Sequence, residues 1–142
     1  MGFMDFLVRH RRRRWAKEML ALYGVEIDPH TQIGRDFRLV HRGFGTVIHG
    51  NCTIGDRVQI YHQVSIGRAD GYRDPSIVPM ARIMIGDDVV LFPGAKLLGG
   101  PEALHVGRGT IVGANAVLLQ STGEYEIWAG IPARRVGLRE AL

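Results

Sequence analysis

The aliphatic residues of this chain recur every six positions between residues 27 and 118, in a series that three interruptions divide. Thirteen positions of the series are all isoleucine, leucine or valine: Ile27, Ile33, Leu39, Ile48, Ile54, Ile60, Ile66, Ile85, Leu91, Leu97, Val106, Val112 and Leu118. The fourth residue after each is usually small or β-branched, and an even separation places both residues on one face of a strand. A helix, with its period of about 3.6 residues, does not fit this pattern.

The six-residue period predicts an all-β fold, a left-handed parallel β-helix. A short strand that ends in a sharp turn makes one side of a triangular coil, so about 18 residues complete a coil and successive coils stack. Glycine follows the aliphatic residue at positions 34, 55, 67, 86, 107 and 113. We expect glycine, or another residue that tolerates positive φ, to relieve the corners.

The interruptions predict loops, which in repeat proteins often build the binding surface. Three extra residues follow Leu39, three more follow Leu97, and a longer excursion loop covers residues 67–84. We therefore divide the chain into an N-terminal cap, residues 1–24, and a β-helix domain, residues 25–142. Candidate chemistry is expected beside the interruptions.

The N-terminal segment has a different period and carries the excess charge of the chain. Residues 1–20 hold six lysines and arginines against two acidic residues, which equals the net charge of +4. Apolar residues at roughly helical spacing predict one or two short amphipathic helices that end near Gly24. These helices are expected to cap the open end of the β-helix. The basic run is either a solvated face or a contact with phosphate or an anionic membrane surface.

Composition sets outer limits on the function. A chain of 142 residues forms one domain, and no apolar run approaches the roughly 20 residues that span a bilayer. The start shows no secretion signal, so a cytoplasmic location is predicted. The single cysteine, Cys52, forms no internal disulfide and occupies an inward position of its repeat. It is predicted to be a core residue, so a covalent cysteine intermediate is not favoured.

Five stretches between Val25 and Gly137 carry the strongest motifs: VEIDPHTQIGRDFRLVH, GTVIHGNCTIGDRVQIYHQVSIGR, IGDDVVLFPGAKLLGG, VGRGTIVGANAVLLQS and WAGIPARRVG. They resemble the hexapeptide-repeat acyltransferases and, within them, the serine acetyltransferase branch. The Leu-x-His corner that ends at His41 and the GIPAR phrase at residues 130–134 are the most specific matches. The resemblance implies an acyl-CoA-dependent O-acyltransferase that uses acetyl-CoA, needs no metal, and forms a homotrimer with sites between neighbouring coils.

The resemblance also implies roles for individual residues. His41 matches the catalytic histidine, which takes a proton from the acceptor hydroxyl, and Glu26 matches the carboxylate that orients this imidazole. Residues predicted to bind coenzyme A are Gly67, Pro93, Gly94, Gly113 and Ala114 along the pantetheine arm, and Lys96, Arg134 and Arg135 at the phosphates. Residues predicted to bind the acceptor are His62, Tyr72, Arg73 and Asp74.

Two departures from the serine branch bear on the acceptor. Val40 stands where that branch has an acidic residue, and Arg73–Asp74 stands where it has an Arg-His pair. We therefore predict a sugar or another hydroxyl metabolite as acceptor, with serine itself as the alternative. A metalloenzyme of the γ-carbonic anhydrase kind and a non-catalytic assembly or membrane-docking protein are further alternatives. Nucleic acid is not a predicted partner.

Overall fold

The computed structural model describes residues 2–140, in which two helices and fifteen short strands form a parallel β-helix with a helical cap. Helix α1 spans Phe3–Arg9 and helix α2 spans Arg14–Leu22. The strands span Glu26–Ile27 (β1), Gln32–Ile33 (β2), Arg38–Leu39 (β3), Val47–Ile48 (β4), Cys52–Ile54 (β5), Gln59–Ile60 (β6), Ser65–Arg68 (β7), Ile83–Ile85 (β8), Val90–Leu91 (β9), Lys96–Gly99 (β10), Leu104–Val106 (β11), Ile111–Val112 (β12), Val117–Leu118 (β13), Glu126–Ala129 (β14) and Arg134–Leu138 (β15).

Every third strand, from β1 to β13, joins the same side of a triangular prism. The first sheet has the order β1-β4-β7-β10-β13, the second β2-β5-β8-β11, and the third β3-β6-β9-β12-β14-β15. Every pairing is parallel except that of β14 with β15. The predicted parallel β-helix is confirmed. We name each corner of the prism by the two sheets that the chain connects there. The third-first corner, for example, lies between a strand of the third sheet and the next strand, which belongs to the first sheet.

The core consists of the aliphatic series found in the sequence. Each of its thirteen members lies in a different strand from β1 to β13, and all except the half-buried Ile33 are buried. The inward small residues, such as Val58, Val89 and Ala95, fill the remaining space and are fully buried. Cys52 is also fully buried, and burial raises the pKa of its thiol to about 12. Its predicted core role therefore stands, and its thiol stays protonated at neutral pH.

Both ends of the β-helix carry additional elements, which limit the exposed strand edges that favour aggregation. Helices α1 and α2 bury Met4, Leu7, Val8, Ala16 and Leu20 against the first coil. At the other end, the antiparallel β14–β15 hairpin extends the third sheet. The predicted short N-terminal helical segment is confirmed as two helices. Within residues 2–140, no helix has the length and apolar character needed to cross a bilayer.

The glycines after the aliphatic positions do not act as the sequence suggested. None of the six adopts positive φ; at the second-third corner, positive φ falls two residues after the glycine, at Asp36, Arg57, Asp88 and Gly109. Glycine is instead required by the close approach of coils. A Cβ on Gly55 would lie 2.8 Å from the backbone nitrogen of Asp87 and 2.9 Å from the carbonyl carbon of Gly86. Gly67 differs, because a Cβ there would meet no atom within 4 Å.

Ion pairs link successive coils along the second-third corner. The Arg57 guanidinium donates to Asp88 at 2.6 Å, and Arg108 from the next coil donates to the same carboxylate at 3.2 Å. One coil lower, Arg35 donates to Asp56 at 2.8 Å. The hydrogen bond from Arg57 outweighs burial and holds the pKa of Asp88 below its ordinary range. Asp88 therefore joins three coils through a carboxylate that is ionised at neutral pH.

We expect Asp88→Asn to lower the free energy of unfolding by about 1 kcal/mol at neutral pH, since a charged hydrogen bond is lost beside two half-exposed arginines. A lowered folded-state pKa means that the wild-type carboxylate contributes stability above its unfolded-state pKa and loses it as pH falls through the folded-state pKa. The gap between wild type and variant should therefore close below about pH 4. Chemical denaturation at several pH values measures it. Glu124→Gln, an exposed control, should show no such gap; a gap that persists in acid would contradict the assignment.

We also expect Gly55→Ala to cost about 1–3 kcal/mol of folding stability, because its Cβ has no room between coils. The matched substitution Gly67→Ala should change stability by less than about 0.5 kcal/mol, because its Cβ enters open space. Thermal unfolding of both variants compares them directly. Equal losses would show that the loss of glycine itself, and not the close approach of coils, sets the effect.

Candidate active site

His41 lies in the third-first corner of the first complete coil, where the sequence carries its first three extra residues. A short 3₁₀ turn, Val40–Gly43, follows β3, and His41 and Arg42 both adopt left-handed backbone conformations with φ of 52° and 62°. Such conformations are uncommon for residues other than glycine and often mark functional sites. Gly43 is buried against Leu39, so the turn is anchored from beneath. The His41 side chain is exposed at the surface of the corner.

Aromatic rings from the next two coils stand beside His41. The ring of His62 is centred 5.6 Å from that of His41, at an interplanar angle of 71°. The ring of Tyr61 lies 5.8 Å from His41 and stacks on Phe92 of the following coil at 5.1 Å. The Nδ1 atom of His62 is buried and has no hydrogen-bond partner within residues 2–140. The corner thus holds the imidazoles of His41 and His62 beside the stacked rings of Tyr61 and Phe92, and the Nδ1 atom of His62 is left without a hydrogen bond.

Glu26 lies at the same corner, one coil below His41. It begins β1, its backbone N–H donates to the carbonyl of Thr46, and it pairs with Val47. Its side chain is exposed and lines a cavity of about 300 Å³ together with Lys17 and Glu18 of α2. Among the described residues, no hydrogen bond joins its carboxylate to His41. The structure therefore brings the predicted pair to one corner but not into contact.

The small residues predicted to bind coenzyme A form a column above His62. Pro93 and Gly94 occupy the third-first corner of the next coil, and Gly113 and Ala114 occupy it in the coil after that. The Gly94 N–H donates to the His62 carbonyl at 3.0 Å. Gly94 has a φ of 74°, and a Cβ there would collide with the Asn115 side chain. Gly94 is itself buried, Pro93 and Gly113 are half-buried, and Ala114 is exposed, so the corner presents small residues in successive coils.

The predicted phosphate ligands differ in their availability. The Lys96 ammonium donates to the carbonyls of Gln63 and Gly94 at 2.9 and 2.8 Å, so its charge is held at the third-first corner. Arg134 begins β15, directly after the turn that joins it to β14. Backbone hydrogen bonds connect this turn to Val117, at the last coil of the third-first corner. Arg135 instead contacts Glu126 at 3.4 Å on the third sheet. Lys96 and Arg134 thus lie along the column, whereas Arg135 has a carboxylate partner.

The remaining predicted residues lie elsewhere in the chain. Gly67 is on the outer face of the first sheet, paired with Leu98. Tyr72, Arg73 and Asp74 belong to the loop between β7 and β8, which spans residues 69–82 at the first-second corner. Tyr72 is 84% exposed. Within one chain, the structure therefore does not bring these three loop residues to His41.

One ion pair and two hydrogen bonds to backbone carbonyls tie this loop to the β-helix. Arg68 donates to Asp70 at 2.8 Å and to the Val78 carbonyl at 2.8 Å. The Asn51 amide donates to the Met80 carbonyl at 2.8 Å. The hydrogen bond from Arg68 lowers the pKa of Asp70, which keeps this pair charged at neutral pH. The loop thus projects from a fixed base.

Tyr61 and Phe92 were not identified from the sequence, although a signal was present. Both directly follow the aliphatic residue of a third-sheet strand, as Val40 and Gly113 do. Aligning the repeat by complete coils, and not by hexads, places these four residues in one column. This alignment could therefore have predicted that Tyr61 and Phe92 lie at the same corner as His41. Within residues 2–140 of one chain, no three His, Cys, Asp or Glu side chains are grouped so as to hold a metal ion.

The relatives found by sequence and by structure are both serine acetyltransferases. No protein-family model matches the chain. A serine acetyltransferase of Staphylococcus aureus is 39% identical over 116 residues, which cover 80% of this chain and 49% of that protein. The serine acetyltransferase structure from Vibrio cholerae superposes with a TM-score of 0.74 at 29% identity, covering 97% of this chain and 52% of that one.

A serine acetyltransferase structure in complex with coenzyme A superposes with a TM-score of 0.71 at 28% identity, covering 94% of this chain and 52% of that chain. The chain thus spans about half the length of the curated relatives that it matches. The resemblance to the serine acetyltransferase branch that the sequence motifs predicted is confirmed.

Proposed function

Because the chain shares its repeat and its β-helix with the serine acetyltransferases, a branch of the hexapeptide-repeat acyltransferases, we propose that it is an acetyl-CoA-dependent O-acetyltransferase. One observation carries the proposal most directly. His41 is presented at the surface by a strained corner, beside His62 and at the foot of a column of small residues. The corner therefore joins a base to a slot suited to an extended thioester arm.

The chemistry assigned to His41 is general-base catalysis by direct transfer. Its neutral imidazole accepts the proton of the acceptor hydroxyl while the oxygen forms a bond to the thioester carbonyl carbon. The carbon–sulfur bond then breaks, and the departing thiolate takes the proton from the imidazolium. Glu26, one coil below, is the carboxylate assigned to orient the imidazole, a contact that substrate binding would complete. The buried Cys52 thiol takes no part.

Coenzyme A is assigned to the column above His62. Backbone groups of Pro93, Gly94, Gly113 and Ala114 would border the pantetheine arm, and Gly67 leaves open space on the neighbouring face. Its phosphates carry negative charge, which Lys96 and Arg134 complement. Arg135 would have to leave Glu126 in order to contribute. When bound, the thioester supplies the acetyl group, and the chain supplies its orientation.

We assign the active assembly to a homotrimer. The loop residues Tyr72, Arg73 and Asp74 lie at the first-second corner, whereas His41 lies at the third-first corner. Closed threefold symmetry sets a corner of one prism against its neighbour. The loop of one chain would then complete the acceptor site beside His41 of the next, which explains why a single chain separates the predicted residues.

The acceptor is assigned as a sugar or another hydroxyl metabolite. Val40 places an apolar side chain directly before His41, and Asp74 would repel a carboxylate-bearing acceptor. Tyr61 and Phe92 add an aromatic surface that suits the apolar face of a sugar ring. Serine is the second candidate, because the named relatives are serine acetyltransferases.

His41→Asn is expected to lower kcat by at least about a hundredfold, the usual contribution of a general base. Asparagine is chosen because it tolerates the left-handed backbone at this position. Thiol release from acetyl-CoA measures turnover, and calorimetry with coenzyme A should show unchanged affinity. His105→Ala, an exposed histidine of the second sheet, should retain full activity. Unchanged turnover in His41→Asn would contradict the proposed mechanism.

A panel of acceptors tests the substrate class. Thiol release is compared for serine and for a set of sugars and glycosides. We expect sugars to be acetylated and serine to be poor. The double substitution Val40→Asp and Asp74→His should raise kcat/KM for serine by about tenfold or more, since it removes the carboxylate proposed to repel serine and restores the acidic residue that the serine branch has before its histidine. Efficient acetylation of serine alone by the wild-type protein would overturn the assignment while leaving the general-base mechanism intact.

A further inference from the structure

The outer surface of the helical cap carries aromatic side chains that the core does not use. Phe3, Phe6 and Trp15 are 51%, 40% and 49% exposed, and Leu22 is 77% exposed. Phe6, His10 and Trp15 form one ring cluster, with centroids 4.3 Å apart for Phe6 and His10 and 5.9 Å apart for the other two pairs. The opposite faces of the helices already fill the core with other residues. A second apolar surface therefore faces outward.

The same two helices and the turn between them carry five exposed cations: Arg9, Arg12, Arg13, Arg14 and Lys17. Within residues 2–140, none of them forms a salt bridge with a carboxylate. Other arginines of the chain are paired, including Arg35, Arg57, Arg68, Arg108 and Arg135. We call the exposed apolar residues and these five cations together the basic aromatic patch.

Arg11 shows that the basic run is not uniform. Its guanidinium donates to the carbonyls of Val8 and Thr31, so it fastens the helical cap to the β-helix. Burial lowers its pKa, as expected for a structural cation. The segment has only two acidic residues, Asp5 and Glu18, against its six basic ones, and Asp5 accepts a hydrogen bond from the Gly2 backbone. Most of the positive charge is therefore not neutralised within the segment. Arg12 donates to the Pro29 carbonyl at 3.3 Å, but within residues 2–140 no carboxylate neutralises the positive charge of the patch.

We propose that the basic aromatic patch docks the protein on a membrane surface that contains anionic phospholipids. Aromatic rings settle at the depth of the lipid headgroups, and lysine and arginine meet lipid phosphates there. Leu22 favours this partner over single-stranded nucleic acid, since an aliphatic side chain adds to insertion but offers no ring for a base to stack on. Charge complementarity and exposed apolar area thus select the same occupant.

The position of the patch relates it to the candidate active site. Helix α2 ends at Leu22, and the next residue, Tyr23, contacts Phe44 at 5.7 Å and lies beneath the Arg42 guanidinium at 5.8 Å. Both partners belong to the corner that presents His41. A docked protein would hold its catalytic corner within one coil of the lipid surface. Membrane docking itself does not depend on the acetyltransferase proposal.

Cosedimentation of the full chain with sucrose-loaded vesicles tests the proposal. We expect binding to phosphatidylcholine vesicles that contain phosphatidylglycerol, weak binding to phosphatidylcholine alone, and weaker binding at higher ionic strength. Replacing Arg12, Arg13 and Arg14 together by glutamine should weaken binding by roughly a hundredfold. Phe6→Ala combined with Trp15→Ala should weaken it by at least about tenfold. Each replaced side chain is exposed, so thermal unfolding should confirm that the variants fold.

Matched controls remove exposed side chains outside the patch. Tyr72→Ala combined with Ile77→Ala, in the loop between β7 and β8, should leave vesicle binding unchanged, as should Arg38→Gln. Absence of binding by the wild-type protein, or equal binding by both patch variants, would overturn the proposal. Tighter binding to single-stranded RNA than to anionic vesicles in the same buffer would overturn it in favour of nucleic acid. A patch-dependent change of oligomeric state without vesicle binding would overturn it in favour of a second copy of the chain.

Discussion

The hydrogen bonds between successive coils are the constraint on which this structure depends. Within residues 2–140 no strand exceeds five residues, so a strand gains little stability alone and depends on pairing with strands of adjacent coils. Coils joined in this way lie about 4.8 Å apart. That spacing excludes a Cβ at Gly55 and equivalent positions, requires left-handed residues at the turns, and brings Arg57 and Arg108 to the same carboxylate of Asp88.

The same constraint explains how far the sequence predicts the fold. Ile54, Ile85 and the other members of their series appear in the sequence at a fixed interval because every coil must fill the same cross-section, and each was assigned to a strand correctly. The role of the glycines was misjudged, since an interval shows that a small residue is needed but not whether φ or a neighbouring atom requires it. Residues such as Arg57 and Tyr125 adopt left-handed conformations that their side chains do not predict.

The candidate site was predictable only in part, for a related reason. The interruption after Leu39 and the resemblance of the motif indicated His41, while the coil register brought His62, Pro93 and Gly94 to the same corner. Contacts between side chains depend on rotamers and on the exact path of the turn, so the separation of Glu26 from His41 was not foreseeable. The residues of the excursion loop posed a different difficulty. In the proposed trimer their partners would belong to a second chain, which a repeat pattern within one chain does not encode.

Within residues 2–140, the Nδ1 atom of His62 is one of three buried side-chain atoms without a hydrogen-bond partner; the others are Arg11 Nε in the cap and Asp70 Oδ2 in the loop between β7 and β8. Other buried polar groups are paired, such as Thr46 with the Tyr61 carbonyl and Thr31 with that of His49. A buried polar atom without a partner costs about 1–3 kcal/mol, so a fold that retains one requires a ligand or water to satisfy it. Here the atom lies in an imidazole 5.6 Å from His41, at the foot of the column assigned to coenzyme A. The energetic defect and the proposed chemistry coincide, which favours acceptor binding over core packing as the role of His62.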